Sequence, residues 1–109
     1  MDERKLRSIM KAEGIDLLSA TSLNERTLEF ERALRLVIPP KDVSDRTTFR
    51  NISNWLRNQC QLDVFDEHTI FRRVLDFALE ASGPTSRNPA AVFITILKKE
   101  LHYNPRSEN

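Results

Sequence analysis

Glycine is scarce in this chain: it occurs twice in 109 residues, at Gly14 and Gly83. That excludes a glycine-rich loop of the kind that cradles phosphate. Cysteine is scarcer still. Cys60 stands alone, so no internal disulfide can form, and a reducing compartment is expected. No apolar run approaches the roughly 18 residues of a membrane span. The opening Met1-Asp2-Glu3-Arg4-Lys5 lacks the apolar segment of a secretory leader. These absences read as a soluble, intracellular, cytoplasmic protein. An excess of one charge is missing too: 17 Lys+Arg face 16 Asp+Glu, a net charge of +1. Proteins that hold duplex DNA through phosphates alone carry a larger surplus, so a nucleic-acid reading needs local clustering.

What remains is the composition of a helical domain, with 39% hydrophobic and 30% charged residues. The length suits one domain, expected over residues 1–105, with 106–109 as a disordered tail. No alternating run supports a strand. The expected fold is an all-α, compact single-domain bundle of about five helices.

Start and stop signals divide the chain. A peripheral helix is expected over Asp2 to Glu13, with Leu6, Ile9 and Met10 on its narrow apolar stripe and Gly14 as its stop. Ser22-Leu23-Asn24-Glu25 is a capping-box pattern, in which Ser22 and Glu25 each accept a backbone N–H of the other. It opens a helix whose buried face is Leu23, Phe30, Leu34 and Val37, ended by Pro39-Pro40. Leu28 and Leu36 fall off that face. A third helix starts at Ser44 or Asp45 and runs to about Cys60, with Phe49, Ile52, Leu56 and Cys60 inside and Trp55 at the edge. The Pro39-Pro40 turn is the one place for a boundary between a helical arm and a three-helix core.

A fourth helix is expected over Glu67–Ser82, capped by Asp66 and closed by Gly83-Pro84. Its apolar positions cover roughly 200° of the helix wheel, more than one buried stripe needs, so it is placed at the centre of the fold. Asn88-Pro89 announces the fifth helix twice, by an N-cap residue and by a proline at the first helical position. Its face of Val92, Phe93, Ile96, Leu97 and Leu101 is also broad. The Glu67–Ser82 and Pro89–His102 helices are therefore expected to form the core, with order ending at Tyr103-Asn104-Pro105. The stretch Asn88–Glu100 resembles the closing helices of some plasmid and phage replication proteins. It shares only the pattern of a helix start.

Catalytic chemistry is poorly supplied. His68 and His102 lie at opposite kinds of helix end, and neither has a second ligand at the i, i+4 spacing of a zinc helix. The polar run Asp63–His68 is the best metal candidate, but Asp66 and Glu67 are better explained by a helix start. Cys60 continues an apolar face and reads as a small buried group, not as a nucleophile. No enzyme activity, cofactor or metal is expected.

Two binding readings remain. The first is a small non-catalytic interaction module, an adaptor or regulator that binds another protein or a second copy of itself. Its candidate contacts are Leu28, Leu36 and Trp55. The second is a nucleic-acid-associated domain in replication or regulation. It would use Arg46, Arg50 and Arg57, which fall within about 40° on the third helix, joined by Arg72, Arg73, Lys98 and Lys99. A helix-turn-helix between the third and fourth helices is disfavoured by its glycine-free connection and by the apolar character of its second helix. The near-neutral charge favours the protein-binding reading.

Overall fold

A polar side chain closes the backbone at the start of three helices. The computed structural model describes residues 3–104, so the expected tail at 106–109 lies outside the described residues. Among the described residues there are five helices and no strand: α1 (Glu3–Ala12), α2 (Leu23–Val37), α3 (Val43–Gln61), α4 (Ile70–Ala81) and α5 (Pro89–Leu101). The fold is an all-α single domain. Ser22 Oγ accepts the Glu25 N–H at 3.1 Å, and Asn88 Oδ1 accepts the Ala91 N–H at 3.3 Å ahead of Pro89. The second half of the expected capping box is displaced by one residue. Glu25 Oε2 accepts from the Thr21 N–H and Thr21 Oγ1, at 2.9 and 2.8 Å, instead of from Ser22.

Two helix starts differ from expectation. Asp42, not Ser44 or Asp45, caps α3 by accepting the Asp45 N–H at 3.0 Å, while Asp45 Oδ2 reaches back to the Lys41 N–H. Near α4, Asp66 closes a separate turn: its Oδ1 accepts the His68 N–H at 3.1 Å and its carbonyl accepts from Thr69 and Ile70. An Asp that bonds the amide two residues ahead makes a turn of its own. The helix proper therefore starts at Ile70, three residues after Glu67.

Left-handed residues terminate helices as the chain requires. Gly14 (φ 71°) ends α1 while Ile15 N–H bonds the Met10 carbonyl at 2.8 Å and Gly14 N–H bonds that of Lys11 at 3.2 Å. This double closure satisfies two orphan carbonyls of the last turn. Asp63 (φ 59°) repeats the arrangement after α3, with Val64 bonded to Gln59 and Asp63 to Cys60.

The expected pairing of α4 with α5 is present, and the core extends beyond it to α2. α4 does pack on α5, but also on α2, which in turn packs on α1 and α3. α2 meets α4 within this core, where the rings of Phe30 and Phe71 lie 5.1 Å apart at 42°. Leu34, Phe49, Ile52, Leu56, Val74, Leu75, Phe93 and Leu97 fill the space around them, all fully buried. α2 looks narrower in sequence than it is because two of its buried residues are polar. Thr27 Oγ1 donates to the Leu23 carbonyl at 2.7 Å, and Arg26 is enclosed with its donors satisfied. Val92, expected inside, is 41% exposed. The chain on both sides of Pro39-Pro40 shares one core, since α2 packs directly on α3. The Cα radius of gyration is 13.1 Å, as expected for a compact chain of this length, about 13 Å for 100 residues.

Candidate functional site

The segment between α1 and α2 runs from Gly14 to Ser22 without regular structure, yet it is firmly held. Asp16 closes it locally, accepting from the Leu18 N–H at 2.9 Å, the Ser19 N–H at 3.2 Å and the Ser19 hydroxyl. The Ser19 hydroxyl foremost, then the two backbone amides, holds the Asp16 carboxyl below the usual carboxylate range. Arg26 supplies the long-range anchor. Its Nε donates to the Leu17 carbonyl at 3.2 Å, its Nη2 to the Ala20 carbonyl at 2.8 Å, and its Nη1 pairs with Glu67. One buried guanidinium thus ties this segment to α2 and to the turn before α4.

The result is a groove of about 790 Å³ between α1, the 14–18 segment and the start of α4. Met10, Ile15, Leu17 and Phe71 form its apolar lining, and Leu18 stands at its mouth, 90% exposed. Arg7, Lys11, His68 and Arg72 supply cationic or titratable groups around it. Nothing in the apolar pattern singled out this groove, because its parts come from α1, the 14–18 segment, Arg26 of α2 and the start of α4. The one signal was Arg26, a charged residue three positions after Leu23 and four before Phe30, in phase with the apolar face of α2.

The residues expected to meet a protein are scattered. Leu28 is 64% exposed on α2. Leu36 is half-buried and packs against the core. Trp55 is inside: its ring meets Tyr103 edge-on at 4.9 Å and Phe65 at 5.7 Å. The expectation of an edge position for Trp55 fails because Tyr103, read only as the end of the ordered chain, follows the left-handed His102 and covers it. Leu28, Leu36 and Trp55 therefore do not make one surface.

The cations of the second reading are also divided. Arg46 and Arg50 are exposed and Arg57 is half-buried. No carboxylate among the described residues pairs with any of them. Ser53, on the same stripe, is not at the surface: it is fully buried and its Oγ donates to the Phe49 carbonyl at 2.9 Å. Trp55 lies about 180° around α3 from Arg46 and touches Tyr103 beyond α5. The arginine stripe consequently faces away from α5, which carries the exposed Lys98 and Lys99 in its last turn. Arg72 approaches Asp76 at 3.7 Å and lines the large groove, whereas Arg73 lies 5.5 Å over the Phe77 ring and lines a different one.

That second groove, about 440 Å³, is bordered by Trp55, Val64, Phe65, Arg73, Glu100 and His102. The two histidines thus belong to separate grooves. Burial, foremost, and the nearby Glu67 and Asp66 carboxylates push the Cys60 thiol up to about 11. Among the described residues, no group of three His, Cys, Asp or Glu side chains is placed to hold a metal ion. None of their helices is long and apolar enough to cross a membrane.

No family model, curated protein or solved structure matches the chain. The groove's own geometry is therefore the basis for a functional reading.

Proposed function

We propose that this protein is a small non-catalytic interaction module that binds a segment of another protein in the groove between α1, the 14–18 segment and the start of α4. The observation that carries this reading is Leu18, 90% exposed at the mouth of a groove lined by Met10, Ile15, Leu17 and Phe71. An exposed leucine alone means little, but one continuous with an apolar concavity forms the anchor-and-pocket surface that protein partners use. The supports for a non-catalytic role are the protonated, buried Cys60 and the separation of His68 from His102. Leu28 stands as a comparison surface outside the groove, and Leu36 and Trp55 serve the core.

The test is affinity capture from the source cell, followed by binding of the purified partner to single variants. Leu18→Glu should abolish capture while Leu28→Glu retains it. Equal capture by both variants contradicts the groove. Dimerisation of the pure protein that Leu18→Glu abolishes would make the partner a second copy of this chain.

One observation favours a nucleic-acid reading: Arg46, Arg50 and Arg57 have no carboxylate partner among the described residues. Adjacent unpaired arginines on one helix are the form phosphate contacts take, and such contacts weaken steeply with salt. Binding of duplex or single-stranded nucleic acid at low salt, lost at higher salt and in Arg50→Ala, would favour this reading over the first.

A further inference from the structure

We infer that the segment this groove takes is an acidic amphipathic one, with apolar side chains on one face and Asp or Glu beside them. This inference rests on the groove being the protein-binding site and names the chemistry of its occupant. The charge around the groove is the argument. Arg7, Lys11, Arg26 and Arg72 line it against two carboxylates, Asp16 and Glu67. That local excess exceeds the +1 of the whole chain.

Of the two carboxylates, Glu67 is neutralised by its ion pair with Arg26, and Asp16 is exposed beside three exposed or partly exposed cations. Asp16 is held by Ser19 and Leu18 in its own turn, and Glu67 is held by Arg26. With the Arg26–Glu67 pair neutral, Arg7, Lys11 and Arg72 still outnumber the single charge of Asp16 around the groove. Arg7 and Lys11 lie one turn apart on the exposed side of α1, and Arg72 rises from α4 on the opposite wall. Arg72 also lies 3.7 Å from Asp76 across one helical turn, an exposed pairing that an incoming carboxylate can share. Cations on both walls with apolar side chains between them fit a segment whose carboxylates flank its apolar anchors. Such rim charges steer encounter and select the partner's sign, while the apolar anchors hold it.

Charge complementarity of this kind has a defined signature. A synthetic amphipathic peptide with Leu and Phe on one face and Glu on its flanks should bind the full chain, and its Lys-for-Glu twin should not. Its affinity should fall with added salt. Lys11→Glu should weaken it by about two- to fivefold for a single rim charge, and Arg7→Glu with Lys11→Glu by more. Amide chemical-shift changes should centre on residues 7–18 and 67–72. Leu18→Glu, at an exposed position, keeps the test independent of folding and should abolish binding.

Equal binding of the basic twin, indifference to salt and to Lys11→Glu, or shifts centred on residues 46–57 would each overturn the inference. So would displacement of the peptide from the groove by nucleic acid. If no acidic peptide binds while the captured partner still depends on Leu18, the acidic assignment fails and the groove as a protein site stands. If the partner is also indifferent to Leu18→Glu, both fail.

Discussion

Arg26 and Glu67, 41 residues apart in sequence, form an ion pair that locks the α1–α2 segment onto the turn preceding α4. The arginine is 7% exposed and its two further donors close the carbonyls of Leu17 and Ala20. Replacing it leaves two carbonyls and a partly covered carboxylate without partners. Arg26→Met should cost about 2–3 kcal/mol in urea unfolding. Glu67→Gln should cost less, about 1 kcal/mol, because Glu67 is 34% exposed and water screens it. A double-mutant cycle should return a coupling of at least about 0.5 kcal/mol, and a coupling of zero would remove the pair from the account.

Acid should weaken the fold through two hydrogen-bonded carboxylates. Asp16 is lowered from an ordinary 3.8, chiefly by the Ser19 hydroxyl, and Glu25 from 4.5, chiefly by the Thr21 backbone N–H. A carboxyl whose pKa is lower when folded stabilises the fold above its unfolded value. That contribution is complete above about pH 5 and is lost as the pH falls through the lowered folded values. Asp16→Asn and Glu25→Gln should each flatten the acid limb of stability against pH. Unchanged slopes would show that these bonds do not distinguish the charged form.

Cys60 should be inert in the native protein. Its thiol, pushed up to about 11 mainly by burial, is protonated at neutral pH and reacts slowly with a thiol reagent. Since the pKa is raised on folding, the associated stability is present below the unfolded value of 9.0 and declines as the pH rises toward 11. Labelling of the native protein as fast as of the urea-unfolded chain would contradict this placement.

Two helix ends predict opposite signs for related changes. Gly14 sits at φ 71° with open space around a would-be Cβ, so Gly14→Ala meets no clash but carries the left-handed penalty. It should cost about 1 kcal/mol. Asp63 sits at φ 59°, where glycine is preferred, so Asp63→Gly should stabilise by about 0.5–1 kcal/mol. Thermal or urea unfolding of the two variants decides both signs.

These contrasts show which parts of the structure were written locally. Ser22, Asn88 and Gly14 act within a few residues of themselves, so the boundaries they set could be read from the chain. Asp42 and Asp66 were harder: Asp42, Ser44 and Asp45 are all suited to cap α3, and Asp66 closes a turn of its own ahead of α4. Trp55 and Leu36 lie at the margins of apolar faces, and their burial depends on Tyr103 and on neighbouring helices that no wheel contains. The groove was the least legible feature. It exists because Arg26 joins two carbonyls and a distant carboxylate, and a pattern of apolar spacing carries no trace of such a charge.

Hydrogen exchange of the protein with and without its captured partner tests the central claim most directly. The account predicts slowed exchange over residues 7–18 and 67–72, lost with Leu18→Glu, and no change along 46–57. Protection of the α3 arginine stripe with the groove unaffected would contradict it.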